Sequence, residues 1–290
     1  MNSTDLHIAL FPQTIFWADK ARNIETVRRA CSTLHPDTDL LILPETFSTG
    51  FPAGDKESIR PLAERNTEAT IDFIKEMSAR HNIAIAGSFI ADSGGSLYNR
   101  AFFIEPSGEE TFADKKHLFT MAGEHKSFSH GYDRMRVRFR GWNIAMVVCY
   151  DIRFPVWCRN VGNEYDLLIA VANWPKVRVN AWNQLLIARA IENEAYVCGV
   201  DCSGKDLNGF EYDGSTMAID FKGKQLGVEG PRIPLPADLP NNQTEKALCD
   251  EYDLSMLTPP VIYANLSLEK LQAFRNKFPA WKDADEFQFV

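Results

Sequence analysis

The sequence predicts an α/β or α+β fold, on three observations. Apolar runs of strand length recur along the 290 residues, segments with a helical apolar period lie between several of them, and a glycine turn joins two of the runs. In order, the strand-like runs are 7–11, 40–43, 83–90, 101–104, 144–148, 167–171, 196–200 and 217–221. Thr70, Phe73, Ile74 and Met77 recur at i, i+3, i+4 and i+7, and Trp182, Leu185 and Leu186 share that spacing, so both segments predict amphipathic helices. Ser93-Gly94-Gly95-Ser96 predicts a hairpin turn. It is not a phosphate cradle, because its glycines neither open a helix nor precede Lys-Ser/Thr. Residues 227–243, carrying Pro231, Pro234, Pro236 and Pro240, predict a loop, since proline lacks the donor that a central strand needs. No repeat or low-complexity tract divides the chain, and residues 1–290 are expected to form one domain with a C-terminal tail.

Composition narrows the function classes. With 45% apolar and 24% charged residues the chain is an ordinary globular one, which excludes intrinsic disorder. Thirty-one Lys and Arg stand against 39 Asp and Glu, a net charge of −8. Such a chain repels phosphate backbones and anionic lipid, so neither nucleic acid nor membrane is expected as a partner. No apolar run approaches ~18 residues, and the N-terminus lacks a basic n-region. The six cysteines are scattered, unlike a disulfide framework, which fits a reducing, cytoplasmic setting. Cys198 and Cys202 lack a second Cys/His pair nearby, so no metal is expected.

Three segments carry chemistry-bearing residues. The run Ile144 to Val148 stops at Cys149-Tyr150-Asp151-Ile152-Arg153-Phe154-Pro155, placing a thiol at the carboxyl end of a buried strand, where α/β sheets hold reacting groups. Leu40-Leu41-Ile42-Leu43 ends in Pro44-Glu45, a carboxylate at a strand mouth. Asp114-Lys115-Lys116-His117-Leu118-Phe119 brings two lysines. Taken singly, these read more readily as a core cysteine, a loop glutamate and a solvated charge pair. Taken together they hold the parts for acyl transfer through a thioester: a thiol, a base to deprotonate it and a cation for the oxyanion.

In this order and spacing the three segments resemble the nitrilase (carbon–nitrogen hydrolase) superfamily. The resemblance extends to Glu124 and Gly131, to Ala172-Asn173-Trp174-Pro175, to Ala188-Arg189-Ala190-Ile191-Glu192-Asn193, and to Phe278-Pro279-Ala280-Trp281-Lys282-Asp283-Ala284-Asp285-Glu286-Phe287. These later segments look most like the omega-amidase branch. The sequence departs from the family's pattern at Val156, where many relatives have Glu. The resemblance implies an α-β-β-α sandwich that pairs into a homodimer and works without a cofactor. By position it implies Cys149 as nucleophile, Glu45 as general base and acid, Lys115 as oxyanion stabiliser, and Glu124 as a second glutamate that positions the lysine or assists proton transfer. The Tyr150 N–H would be the backbone oxyanion donor.

The implied reaction is hydrolysis of the terminal amide of a small dicarboxylic acid monoamide in its 2-oxo form, such as 2-oxoglutaramate or 2-oxosuccinamate. Its carboxylate calls for a cation, for which Arg153 is the candidate. Asn173, Trp174 and Phe47 are candidates for a donor and apolar walls. Another carbon–nitrogen hydrolase, an N-carbamoyl amino acid amidohydrolase or a nitrilase, is the alternative. A Cys-His protease using Cys149 with His117 or His130 is disfavoured, because neither His stands in a recognisable protease context. A non-enzymatic scaffold is disfavoured because all three triad residues are present.

Overall fold

The computed structural model describes residues 5–52, 54–236 and 257–287. Among these, two large sheets face one another. The first runs β14-β15-β1-β2-β3-β4-β5 and the second β13-β12-β9-β8-β7-β6. The first comprises β1 (Asp5–Leu10), β2 (Leu40–Ile42), β3 (Ala84–Ser93), β4 (Ser96–Ile104), β5 (Glu110–Asp114), β14 (Val228–Glu229) and β15 (Ile262–Ser267). The second comprises β6 (Met135–Phe139), β7 (Trp142–Val148), β8 (Leu167–Ala172), β9 (Tyr196–Asp201), β12 (Met217–Ile219) and β13 (Gln225–Leu226). A two-stranded ribbon, β10 (Ser203–Lys205) and β11 (Glu211–Asp213), follows β9. Each large sheet has a parallel centre, β1-β2-β3 in one and β7-β8-β9 in the other, with antiparallel strands added at its edges.

The period-2 alternation of each strand divides its side chains between two cores. Leu6, Ile8, Leu10, Leu40 and Ile42 meet Ile144, Met146, Val148, Leu167, Ile169 and Val171 between the sheets. The opposite face of the first sheet, with Ala9, Leu41 and Ile85, packs against α1 (Lys20–Thr33) and α3 (Ala69–His81) through Val27, Ala30, Ile71, Ile74 and Met77. That of the second, with Ala145, Val147, Leu168, Ala170 and Val197, packs against α5 (Val179–Glu192) through Trp182, Leu186 and Ala190. The layers are therefore α-β-β-α. Two single turns, α2 (Lys56–Ile59) and α4 (Pro155–Cys158), lie in connections, and α6 (Leu268–Lys277) buries Leu268 and Leu271 at the edge of the central core.

The eight expected strands and both helices are present, and Gly94 and Gly95 turn β3 into β4 with φ of 61° and 80°. One expectation needs correcting. Val228–Glu229, within the segment read as a loop, pairs with β15 at the outer edge of the first sheet, and Pro231, Pro234 and Pro236 come after its paired residues. Residues 237–243 of that segment, Pro240 included, lie outside the described residues. No helix among the described residues is long and apolar enough to cross a membrane.

Candidate active site

The parallel centres of both sheets deliver their carboxyl ends to one end of the sandwich, and the chemistry-bearing side chains converge there. Glu45 follows β2, Lys115 follows β5, Cys149 follows β7 and Asn173 follows β8. Lys115 is 2% exposed, and its Nζ lies 3.0 Å from Glu45 Oε1 and 3.0 and 3.1 Å from the two oxygens of Glu124. Burying an isolated ammonium costs several kcal/mol. Burial does act against the Lys115 charge, but Glu124 and Glu45 outweigh it and hold its pKa well above the ordinary value. Glu124 is in turn fixed by the Phe119 backbone N–H, which donates to its Oε2 at 2.5 Å. Burial raises the Glu124 pKa, with Lys115 opposing.

Glu45 is the most heavily committed group. Oε1 accepts from Asn99 Nδ2 at 2.6 Å, and Oε2 accepts from the Asn173 backbone N–H at 2.7 Å. Behind it, Asn173 Nδ2 donates to the Glu45 carbonyl at 3.1 Å and to Thr46 Oγ1 at 2.9 Å. Ser88 Oγ accepts from the Thr46 N–H at 2.8 Å and donates to Asn99 Oδ1 at 2.9 Å. Thr46 sits at a φ of 43°, a left-handed conformation that these bonds hold.

Cys149 has a φ of 49° at the start of a single turn over Cys149–Arg153. That left-handed backbone is strained for a non-glycine residue, and Cys149 lines the pocket at this end of the sheet. Burial and the Glu45 carboxylate push the thiol pKa well above its ordinary value, against the pull of Lys115. Both effects favour the thiol over the thiolate. Asp151 anchors this turn to the lysine segment. Its Oδ2 accepts from the Val148 N–H at 3.2 Å and its Oδ1 from the His117 N–H at 2.8 Å, while the His117 ring stacks on Phe154. From the helix side the buried Arg189 donates twice to the Ile152 carbonyl, at 3.0 and 2.7 Å. Gly131 is required by a close approach: a Cβ there would come within 2.1 Å of the Asp114 carbonyl, and its N–H donates to the Lys115 carbonyl at 2.8 Å.

Beside the thiol lies a small pocket lined by Phe119, Cys149, Tyr150, Arg153, Asn173, Trp174, Pro175 and Arg178. Of the expected wall and donor residues, Tyr150, Arg153, Asn173 and Trp174 reach it. Phe47 does not. It is fully buried between the first sheet and its helices, edge-on to Phe102, because the turn after β2, held by the Phe47 N–H donating to the Ser88 carbonyl at 3.1 Å, folds its ring into that core. Asn173 also differs from expectation, since the donors of its side chain and its backbone are spent on Glu45 and Thr46 and it holds the carboxylate in place. Asn99, Ser88 and Arg178 were not singled out from the sequence. For the first two the available signal was a polar residue interrupting an apolar strand.

The sequence profile described as carbon-nitrogen hydrolase matches residues 7–233. The chain is 37% identical to the omega-amidase YafV of Yersinia enterocolitica, over 97% of this chain and 98% of that protein. It is 32% identical to a 2-oxoglutaramate amidase of Bacillus subtilis (strain 168), over 66% of this chain and 74% of that one. Among solved structures it resembles a CN-hydrolase superfamily protein of Xanthomonas campestris, XC1258, which carries an arsenic adduct in its active site. The TM-score is 0.83 at 33% identity, with 99% of each chain covered.

Proposed function

The chain belongs to the carbon–nitrogen hydrolase family and is a hydrolase of carbon–nitrogen bonds, and from that premise we propose that it removes the omega-amide of small 2-oxo dicarboxylic acid monoamides through a thioester on Cys149. The observation that carries the reading is the Lys115 ammonium, buried between Glu45 and Glu124 next to a thiol held at a strained strand end. In the first half-reaction Glu45 takes the thiol proton as the sulfur attacks the amide carbon. The tetrahedral oxyanion is met by Lys115 and the Tyr150 N–H, and Glu45 returns the proton to the departing nitrogen, releasing ammonia. In the second half-reaction Glu45 deprotonates a water, hydroxide attacks the thioester carbonyl, and the thiolate leaves and recovers its proton as the carboxylic acid forms. Glu124 keeps Lys115 charged and in place. Arg153 supports a substrate with a carboxylate remote from the amide, and the names of the YafV and 2-oxoglutaramate amidase relatives favour that substrate class.

The test is ammonia release from 2-oxoglutaramate, 2-oxosuccinamate, N-carbamoyl amino acids and aliphatic nitriles. The expected result is that the two 2-oxo amides have the highest kcat/KM. A higher value for a carbamoyl amino acid or a nitrile would overturn the assignment.

A further inference from the structure

The pocket contains a second arginine, and its placement deepens the omega-amidase reading, on which this inference rests. Arg153 comes from the turn after β7, with its guanidinium carbon 4.8 Å from the Trp174 ring centroid and 6.0 Å from that of Tyr150. Arg178 comes from the segment after β8, 5.5 Å from the Phe119 ring centroid. Both are half-buried, both line the pocket with Cys149, and among the described residues neither side chain has an acidic partner or a hydrogen bond. In a chain of net charge −8, two such cations facing one small pocket are a built feature. Stacking on an aromatic face orients a guanidinium and leaves its edge N–H groups free, and those edges match carboxylate and carbonyl oxygens. The backbone of Arg178 is fixed as well: its N–H donates to the Pro175 carbonyl at 2.8 Å, and its carbonyl accepts from Trp174 Nε1 at 2.9 Å.

A single guanidinium edge saturates one carboxylate by a bidentate contact. In a 2-oxo acid the next acceptor is the 2-oxo oxygen on the adjoining carbon; in the parent amino acid that carbon bears an ammonium. We propose that Arg178 is the specificity-determining residue that selects the 2-oxo form. Arg153 takes the carboxylate, Arg178 donates to the 2-oxo oxygen, and the Arg178 charge repels the α-ammonium of asparagine or glutamine. The pocket thereby rejects the amino acid amide through repulsion as well as favouring the oxo acid through attraction.

The experiment measures kcat/KM for wild type, Arg153→Met, Arg178→Met and Arg178→Lys on 2-oxosuccinamate, succinamate, asparagine and butyramide, with circular dichroism to verify folding. Arg178→Met is expected to lower the ratio of 2-oxosuccinamate to succinamate by about 10-fold or more, the scale of one charge-assisted hydrogen bond, and to raise asparagine relative to 2-oxosuccinamate. Arg153→Met is expected to lower both acids relative to butyramide. Arg178→Lys, which keeps the charge, should still discriminate against asparagine. If Arg178→Met lowers 2-oxosuccinamate and succinamate equally, or Arg178→Lys accepts asparagine as well as the Met variant does, the proposal is overturned while the omega-amidase reading stands. A wild type that handles butyramide as well as succinamate overturns that reading itself.

Discussion

Lys115 and the arginine pair are cations next to the same thiol, yet they are held in opposite ways. Lys115 is buried and bound by two carboxylates within about 3 Å, with a backbone N–H fixing one of those carboxylates from behind. Arg153 and Arg178 are half-buried, rest on aromatic rings and meet no acid among the described residues. A cation whose partners are already in place is preorganised for charge that develops at a fixed point in a reaction. One whose partners are missing supplies binding energy when a ligand brings them. On the proposed function, the difference separates the part of the site assigned to the chemistry from the part assigned to choosing what enters.

Removal of the fixed cation should cost far more than removal of its chain neighbour. Lys115→Ala should lower kcat by about 10²-fold or more, as loss of other oxyanion donors does, whereas Lys116→Ala should change it little. Lys116 points elsewhere, with its Nζ 5.0 Å from the Tyr132 ring centroid and 5.7 Å from that of Trp157. Steady-state kinetics on one omega-amide decides this, and equal losses would show that the ion-paired lysine has no special role.

A smaller effect concerns what holds the pocket wall. Asp201, fully buried at the end of β9, accepts the Trp174 N–H at 2.7 Å through Oδ1, while its Oδ2 has no hydrogen-bond partner among the described residues. Burial raises its pKa well above the ordinary 3.8, with the Trp174 N–H opposing. A carboxyl that keeps its proton in the folded state but loses it in the unfolded one gives the unfolded state fewer bound protons. Its contribution to stability therefore falls as pH rises past 3.8 towards the raised folded value. Asp201→Asn keeps an acceptor for Trp174 and removes this titration. The melting temperature of wild type should drop relative to Asp201→Asn as the pH is raised from 3.8 to neutrality. Parallel curves would place the Asp201 pKa at its ordinary value.

The sheet centres were legible because strands buried on both faces read as continuous apolar runs, whereas Glu45, Lys115 and Cys149, each unremarkable alone, stood out as a set only through the resemblance of their segments to the family. What escaped notice has physical reasons. Met135-Arg136-Val137-Arg138-Phe139 alternates apolar and charged residues along β6, a period-2 signal that a search for continuous runs passes over. Helix α1 carries Arg22, Arg28 and Arg29, and its buried Asn23 is held by polar contacts, with Nδ2 donating to the Phe16 and Ser48 carbonyls. Strand β15 reads as Ile-Tyr-Ala-Asn-Leu-Ser and gains its identity from pairing with β1, some 250 residues away in the chain. Asn99 and Ser88 are ordinary polar residues in sequence, and their role exists only once β3 and β4 bring them beneath Glu45. Phe47 was misplaced because adjacency to Glu45 in sequence does not settle which face of the sheet its ring occupies.

On the proposed mechanism Cys149, served by Glu45 and Lys115, carries the acyl group. Intact-protein mass spectrometry after rapid acid quench of turnover with 2-oxosuccinamate tests it most directly. The expected result is a species heavier by the substrate minus ammonia, mapped to Cys149, in wild type, and neither that species nor turnover in Cys149→Ala. Undiminished ammonia release by a folded Cys149→Ala variant would contradict it.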